Sequence, residues 1–539
     1  MALDSNLAFL GSSVLGYAAA NAPGFPRCNN ETLSVPTVLG TENISIQAAP
    51  VTDFSTKSVA MAAWTKSEFH GLDFCNVTVQ YTHPGYDDSV TVTLLLPQED
   101  TWNGNFMGVG GGGWSATMGN LMTIPGVDAG YAVATTNAGI PINMLSSADW
   151  ALLSPGNPDV GRLEIFASRA LHEMTIIGKS VTEQYYAQAA AYAYWVGCSQ
   201  GGRQGLMSAQ RYPEDYNGIA ALAPAVNWGQ FFPVMHWAHQ VMHELDYYPS
   251  PCEVKAFLTA AVEACDELDG IADGVISSDE CTFNPFALVG QTFDCDGTDT
   301  AFTTNGAKVM KAAWEGPRSV DGDFQWYGYH PDADIQSKVA STTCSTPGKC
   351  TAAPFTLAED WLKLWIAGDP TLDLSNLSRE NYTTSAKAGI QRYDSIIGTR
   401  DADLTPFRDN GGKMITWHGL ADELIPFPGS TDYHDRVRAI DETVDDYFRL
   451  FLAPGTAHCV PGKGHYPLDV VSELVDWVER GNAPSQLVAQ DMTNVDSATG
   501  ILAKGDPAER GRPLCVYPRA QKYLGGDPDL QSSFECVKE

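Results

Sequence analysis

Short runs of alternating apolar and polar residues dominate the first hundred positions. "CNVTVQYTH" (75–83) and "SVTVTLLLP" (89–97) set apolar residues at every second place, the period of a half-buried strand. The Pro-Gly and Asp-Asp between them predict a hairpin. The pattern then changes. "NFMGVGGGGWSA" (105–116) reads as a buried strand entering a glycine-rich loop, and "AGYAVATTNAG" (129–139) as a second buried strand. "ALHEMTIIGKSVTEQYY" (170–186) puts Leu171, Met174, Ile177 and Val181 on one side of a helix. "AYWVGCS" (193–199) is again strand-like, "GGRQGLMSAQRYP" (201–213) leaves it as a helix, and "YNGIAALAPA" (216–225) returns to strand. Strands alternating with helices predict an α/β fold whose mostly parallel sheet is covered on both faces.

That rhythm stops near residue 227. It resumes near 412 with the strands "GKMITWHG" and "YFRLFLAPG" and the helix "YPLDVVSELVDWVERG". The expected division is a main domain from 23–226 and 412–539, interrupted by an inserted domain at 227–411. The insertion is rich in large aromatics: Trp314, Trp326, Tyr327, Tyr329, Trp361, Trp365, Tyr382 and Tyr393.

Composition narrows the function classes. A chain of 539 residues with a net charge of −33 has no basic stripe for phosphates, which argues against nucleic acid and anionic membrane surfaces. No run after the N-terminus is long and apolar enough to span a membrane. The 12 cysteines are even in number and form no CxxC pair. With five sequons, at Asn30, Asn43, Asn76, Asn376 and Asn381, they suggest disulfides and secretion. The apolar segment ending at Ala20-Asn21-Ala22 fits a signal peptide over 1–22. It lacks a basic start and carries Asp4, so a buried N-terminal helix is the alternative.

Gly197-Cys198-Ser199-Gln200-Gly201 fits G-x-S-x-G between a strand and a helix, the turn that lifts a nucleophilic serine clear of a sheet. A serine needs a base, and in α/β-hydrolases the partners follow as an acid and then a histidine. His458 follows "YFRLFLAP" and Asp422 follows "GKMITWHG", each just past a strand. His434 and His465 are fallbacks for the base, Asp403 and Asp409 for the acid. His236, His239 and His243 share a helix-like stretch but lack an H-E-x-x-H pattern, which argues against metal catalysis. For the oxyanion, the Gln200 N–H is the natural first donor, and Gly111 or Gly112 of the glycine run the second; the bland alternative is a tight turn. If Ser199 and His458 meet, Cys198 and Cys459 meet too. A disulfide there would staple nucleophile to base; two buried thiols are the alternative.

Cys198-Ser199, Asp422 and His458-Cys459 resemble the CS–D–HC signature of the fungal tannase/feruloyl esterase family. So do "GCSQGGRQG", "GIAALAPAVNW", "ACDELDGIADGVIS", "WEGPR" and "DLTPF". The resemblance runs from about residue 25 to the C-terminus and implies an α/β-hydrolase fold in which 227–411 is a lid. Lids of this family shape a pocket for a phenolic acid; the aromatic residues fit stacking on such a ring, but many must also form the lid's own core and none is assigned individually. It implies a structural calcium site in "CDELDGIADGVIS". Asp266, Asp269 and Asp273 offer carboxylates there, and Ile271 and Val275 carbonyls. Leu268 rules out an EF-hand, and an acidic surface turn is the alternative. Cys265 and Cys281 bracket this loop and are expected to pair. Family position suggests Cys28–Cys75 and Cys515–Cys536; Cys344–Cys350 closes a short loop, and Cys252–Cys295 remains.

The expected protein is a secreted serine esterase acting through an acyl-enzyme on ferulic, p-coumaric or caffeic esters of plant cell-wall polysaccharide. A tannase acting on galloyl esters and an esterase for a small aromatic metabolite are alternatives. A non-catalytic hydrolase fold used for binding is the competing class, disfavoured because all three triad residue types are present.

Overall fold

In the computed structural model, residues 25–277, 281–346, 348–353, 355–492, 496 and 510–538 are described. The expected signal peptide lies outside them. Nine strands form the central sheet: β1 (Glu42–Lys57), β2 (Glu68–Thr82), β3 (Val90–Pro97), β4 (Phe106–Val109), β5 (Ala132–Thr136), β6 (Ala193–Cys198), β7 (Gly218–Leu222), β8 (Lys413–Gly419) and β9 (Phe448–Ala453). Their order is β1-β2-β3-β5-β4-β6-β7-β8-β9. The first four in that order pair antiparallel, and from β5 to β9 every pairing is parallel.

Burial explains the two kinds of strand. Every residue of β4, β5, β6 and β7 is buried, so these segments read as continuous apolar runs. β2 alternates because one face is covered. β1 escaped the sequence reading. It is an edge strand, exposed at most positions, with Pro50 in its middle and register shifts near its ends.

The helix α1 (Ala170–Tyr186) has the predicted bounds and buries Leu171, Met174, Ile177 and Val181. α2 (Gln200–Arg211) leaves β6 after a single intervening residue, Ser199. The insertion enters between β7 and β8, which are direct neighbours in the sheet. Residues 227–411 add no strand to that sheet. They supply helices, including α3 (Trp228–Leu245) and α4 (Pro251–Cys265), and two small hairpins. The six cysteines of the insertion bond to one another, as Cys252–Cys295, Cys265–Cys281 and Cys344–Cys350. Cys28–Cys75 and Cys515–Cys536 staple the main domain.

The insertion also shares a core with the sheet. Trp114, just after the glycine run, has its ring centre 5.4 Å from Trp228, 5.1 Å from Phe232 and 5.9 Å from Trp365. Its indole N–H donates to the Leu357 carbonyl at 3.0 Å.

Candidate active site

Ser199 sits at the turn from β6 into α2 with φ at +62°, a left-handed conformation that costs a non-glycine residue about 1–3 kcal/mol. The turn is held from both sides: the Ser199 N–H donates to Leu222 O at 3.0 Å, and Ser199 O accepts from Ala225 N–H at 3.0 Å. The neighbouring glycines are required by contact. A Cβ on Gly197 would lie 2.5 Å from the Gly201 carbonyl carbon. The Gly201 N–H donates to Gly111 O at 3.0 Å, which draws the glycine loop against the first turn of α2.

The structure brings together the residues that the sequence set 261 apart. Cys198 and Cys459 form a disulfide with Cα atoms 5.9 Å apart. Cys459 also has a positive φ, +61°. Its carbonyl accepts from Ala62 N–H at 2.8 Å and from the Tyr466 hydroxyl at 3.0 Å. The loop carrying His458 is thus fixed covalently on one side and by two donors on the other.

His458 Nδ1 bonds Asp422 Oδ2 at 2.7 Å. That bond leaves Nε2 free of the carboxylate. Asp422 is fully buried and strongly bound: Oδ1 accepts from Leu424 N–H at 2.9 Å and Ile425 N–H at 2.7 Å. A second imidazole, His418, sits 3.1 Å from Oδ2 through Nε2, while its Nδ1 pairs with Ser430 Oγ at 2.7 Å. Burial pushes the Asp422 carboxyl up, but the charge of His458 and the hydrogen bonds from His418 and His458 outweigh it, so it is held well below the usual carboxylate range. Burial pulls His458 down. The charge and hydrogen bond of Asp422, with Glu423 added, reverse this and leave the imidazole raised. Glu423 accepts the His458 backbone N–H at 3.1 Å, and burial together with the Asp422 charge raises its own carboxyl.

Ser199 and His458 line one cavity of about 200 Å³, with Cys198, Gln200 and Cys459 beside them. The fallback residues lie elsewhere. His434 is buried against Phe448, His465 stands 3.4 Å from Asp529, and Asp403 and Asp409 are exposed. His236, His239 and His243 sit on α3, where burial lowers the pKa of all three, and none lines the cavity.

One expectation needs correction. The Gly111 N–H donates to Gln204 Oε1 at 2.9 Å and the Gly112 N–H to Ser115 O at 3.1 Å, so neither is free for an oxyanion. Gly113 also lines the cavity, and its N–H has no acceptor among the described residues. None of the aromatics noted in the insertion, which were not assigned individually to the pocket, lines the cavity. Trp361 and Trp365 are fully buried in the shared core, and the insertion instead presents Trp228, Phe231, Phe232, Met235 and Leu357. His418, Glu423 and Gln204 were missed. A signal existed for His418, which stands one helical turn's spacing before Asp422 in "WHGLAD".

A family model described as tannase and feruloyl esterase matches residues 75–537. The chain belongs to the tannase and feruloyl esterase family. This is a family of carboxylic ester hydrolases. The chain is 40% identical over 474 residues to a "Probable feruloyl esterase" of Arthroderma benhamiae, covering 87% of this chain and 86% of that protein. It is 30% identical over 520 residues to "Tannase" of Aspergillus oryzae, covering 87% and 85%. The solved structure of tannin acyl hydrolase from Aspergillus niger superposes with a TM-score of 0.83 at 27% identity, covering 95% of each chain.

In this esterase the acidic loop after α4 is closed by Cys265–Cys281. Asp266 Oδ1 accepts from the N–H groups of Asp273, Gly274 and Val275 at 3.1, 2.9 and 3.2 Å. Asp269 Oδ1 accepts from Ile271 N–H at 2.9 Å, and Asp273 Oδ2 pairs with Arg512 at 2.7 Å. Burial raises the Asp269 carboxyl, and the Asp273 charge adds to that. The oxygens are of the type a hard cation takes, but among the described residues no three His, Cys, Asp or Glu side chains converge as a metal-binding group. Of the sequons, Asn30, Asn43, Asn376 and Asn381 are exposed, whereas Asn76 is half-buried on β2.

Two outcomes follow for this site. The folded Cys198→Ala/Cys459→Ala double variant is expected to lose about 10²-fold in kcat, the scale of a roughly 1 Å misplacement. Unchanged kcat in that variant would remove the orienting role. The base must be neutral to accept a proton, so activity is lost as pH falls through the His458 pKa, which lies above the ordinary histidine value. The acid limb of kcat/KM should therefore sit above about pH 6.5. In Asp422→Asn it should move downward while kcat falls by about 10⁴-fold. A limb unmoved by that substitution would contradict the pairing.

Proposed function

We propose that this chain is a secreted serine esterase that hydrolyses esters of aromatic acids through a covalent acyl-enzyme. One observation carries the assignment: His458 bridges from Asp422, at 2.7 Å, into the cavity that Ser199 also lines. Ser199 Oγ attacks the ester carbonyl carbon while His458 Nε2 takes its proton. The oxyanion is received by the N–H of Gln200, first in α2, and of Gly113. The intermediate collapses, and His458 returns the proton to the departing alcohol oxygen. Water, deprotonated by His458, then attacks the acyl carbonyl; the C–O bond to Ser199 breaks as His458 returns that proton to Ser199 Oγ, and the acid leaves.

The likeness to a "Probable feruloyl esterase", at 40% identity, supports hydroxycinnamic esters such as feruloyl esters as the first reading, with plant cell-wall polysaccharide proposed as the esterified partner. The likeness to a tannase and to a tannin acyl hydrolase supports galloyl esters as the second reading. Six disulfides support an oxidising, extracellular location. No helix among the described residues is long and apolar enough to cross a membrane. The 266–275 loop is proposed to hold a structural Ca²⁺ through Asp266, Asp269, Asp273 and the carbonyls of Ile271 and Val275.

Ser199→Ala is expected to lower kcat by about 10⁶-fold and to abolish labelling by a serine-directed phosphonate. Labelling that survives in the variant would place the nucleophile elsewhere. For the loop, metal analysis of the purified protein should find about one calcium per chain, and chelation should lower Tm. An unmoved Tm with no bound metal would leave the loop an acidic turn held by its own amides and Arg512.

A further inference from the structure

The carboxylate behind His458 is shared. Asp422 Oδ2 accepts from His458 Nδ1 at 2.7 Å and from His418 Nε2 at 3.1 Å, while Oδ1 is taken by the N–H groups of Leu424 and Ile425. These donors fill the roughly four lone-pair sites of a carboxylate. His418 is fully buried at the end of β8 and does not line the cavity that Ser199 and His458 share. Its Nε2 faces two acceptors, Asp422 Oδ2 and, at 3.0 Å, Ile425 O, so Nε2 carries the ring proton. Nδ1 then accepts from the hydroxyl of Ser430, on the helix Pro428–Ile440, at 2.7 Å. The imidazole is thus held at both nitrogens.

Two donors on one oxygen divide its pull. The bond from His418 offsets part of the charge on Oδ2 and lessens the field that stabilises an imidazolium at His458. We infer that His418 is a positioning residue that, by sharing Asp422 Oδ2, limits the hold of the carboxylate on His458 and so sets the pH below which the base is lost. The inference rests on the triad function proposed above and deepens it. Other ionisable groups surround the pair. Glu423 adds to the pull on His458, and Lys338 of the insertion opposes it. Burial keeps the Tyr329 hydroxyl, beside Asp422 and Glu423, protonated, and it donates to Leu424 O at 3.2 Å. None of these takes the place of His418 on Oδ2 among the described residues. The direction of the effect is diagnostic. Without the His418 donor, Asp422 pulls harder on the imidazolium, so the acid limb moves to higher pH. Were His418 only a prop for the loop, its loss would let Asp422 swing away, and the limb would move down as in Asp422→Asn.

The test follows the rate of Ser199 labelling by a serine-directed phosphonate across pH on the full-length protein, a rate that needs neutral His458 whatever ester is the substrate. The kcat/KM for methyl ferulate is measured beside it. In His418→Leu the acid limb is expected to rise by about one unit, with the plateau lowered about tenfold, the worth of one hydrogen bond to a charged group. His418→Gln returns an N–H to Oδ2 and should bring the limb back to the wild-type position. Ser430→Ala removes the donor that polarises the ring and should raise the limb by about half a unit; it carries the test where the leucine variant does not fold. A limb unmoved or lowered in either folded variant, or raised equally in His418→Gln, would overturn the inference and leave the esterase standing. Wild-type protein that neither labels nor hydrolyses would overturn the esterase function and this inference with it.

Discussion

The bond between Cys198 and Cys459 fixes where catalysis can happen. Ser199 and His458, the proposed nucleophile and base, each occupy a position next to one of these cysteines, so a single covalent link ties their two turns together. In the chain-entropy picture, closing a loop of 261 residues stabilises the fold by about 5 kcal/mol. Ser199 and Cys459 are both in the left-handed region, with φ of +62° and +61°. Such conformations persist only where the surroundings over-determine them. Here the surroundings are the disulfide, the donors Ala62 N–H and Tyr466 O–H, and the contact of Gly197 with Gly201. The strain is held where displacement of a reacting atom is most costly.

A second constraint comes from the insertion. Trp114 follows directly on the glycine run and is clamped among Trp228, Phe232 and Trp365, with its N–H on Leu357. The segment 227–411 therefore does more than roof the serine. It buttresses the glycine loop that carries Gly113, the proposed oxyanion donor, while Gln204 of α2 holds the same loop through Gly111. A change in the insertion's core can alter the oxyanion site without touching the cavity wall.

The elements of the sheet from β2 onward were legible because burial on one or two faces leaves a period in the sequence. β1 was not, since an exposed edge strand carrying Pro50 has no such period. The triad was legible for a different reason: each member follows a strand, and the flanking cysteines doubled the signal. Hydrogen bonding between loops leaves no such trace. Nothing local distinguishes Gly111, spent on Gln204, from Gly113, which is not. The aromatics of the insertion were visible, but composition cannot separate a ring in a core from one in a wall. Trp361 went to the core and Trp228 to both.

The charge balance behind His458 explains how so apolar a chamber can run proton transfer. Asp422 is cut off from water, and an isolated carboxylate there would become neutral. Two backbone N–H groups and two imidazoles hold it ionised instead, at 2.7 to 3.1 Å. His418 matters in this balance because Ser430 and the Ile425 carbonyl fix its ring, at 2.7 and 3.0 Å, so it supports the carboxylate without competing for the Ser199 proton. The ionised Asp422 then favours the imidazolium that His458 becomes during attack. The same exclusion of water that makes Asp422 difficult to ionise strengthens its pull on that cation, so the apolar wall of the cavity also sharpens the electrostatics proposed to activate Ser199.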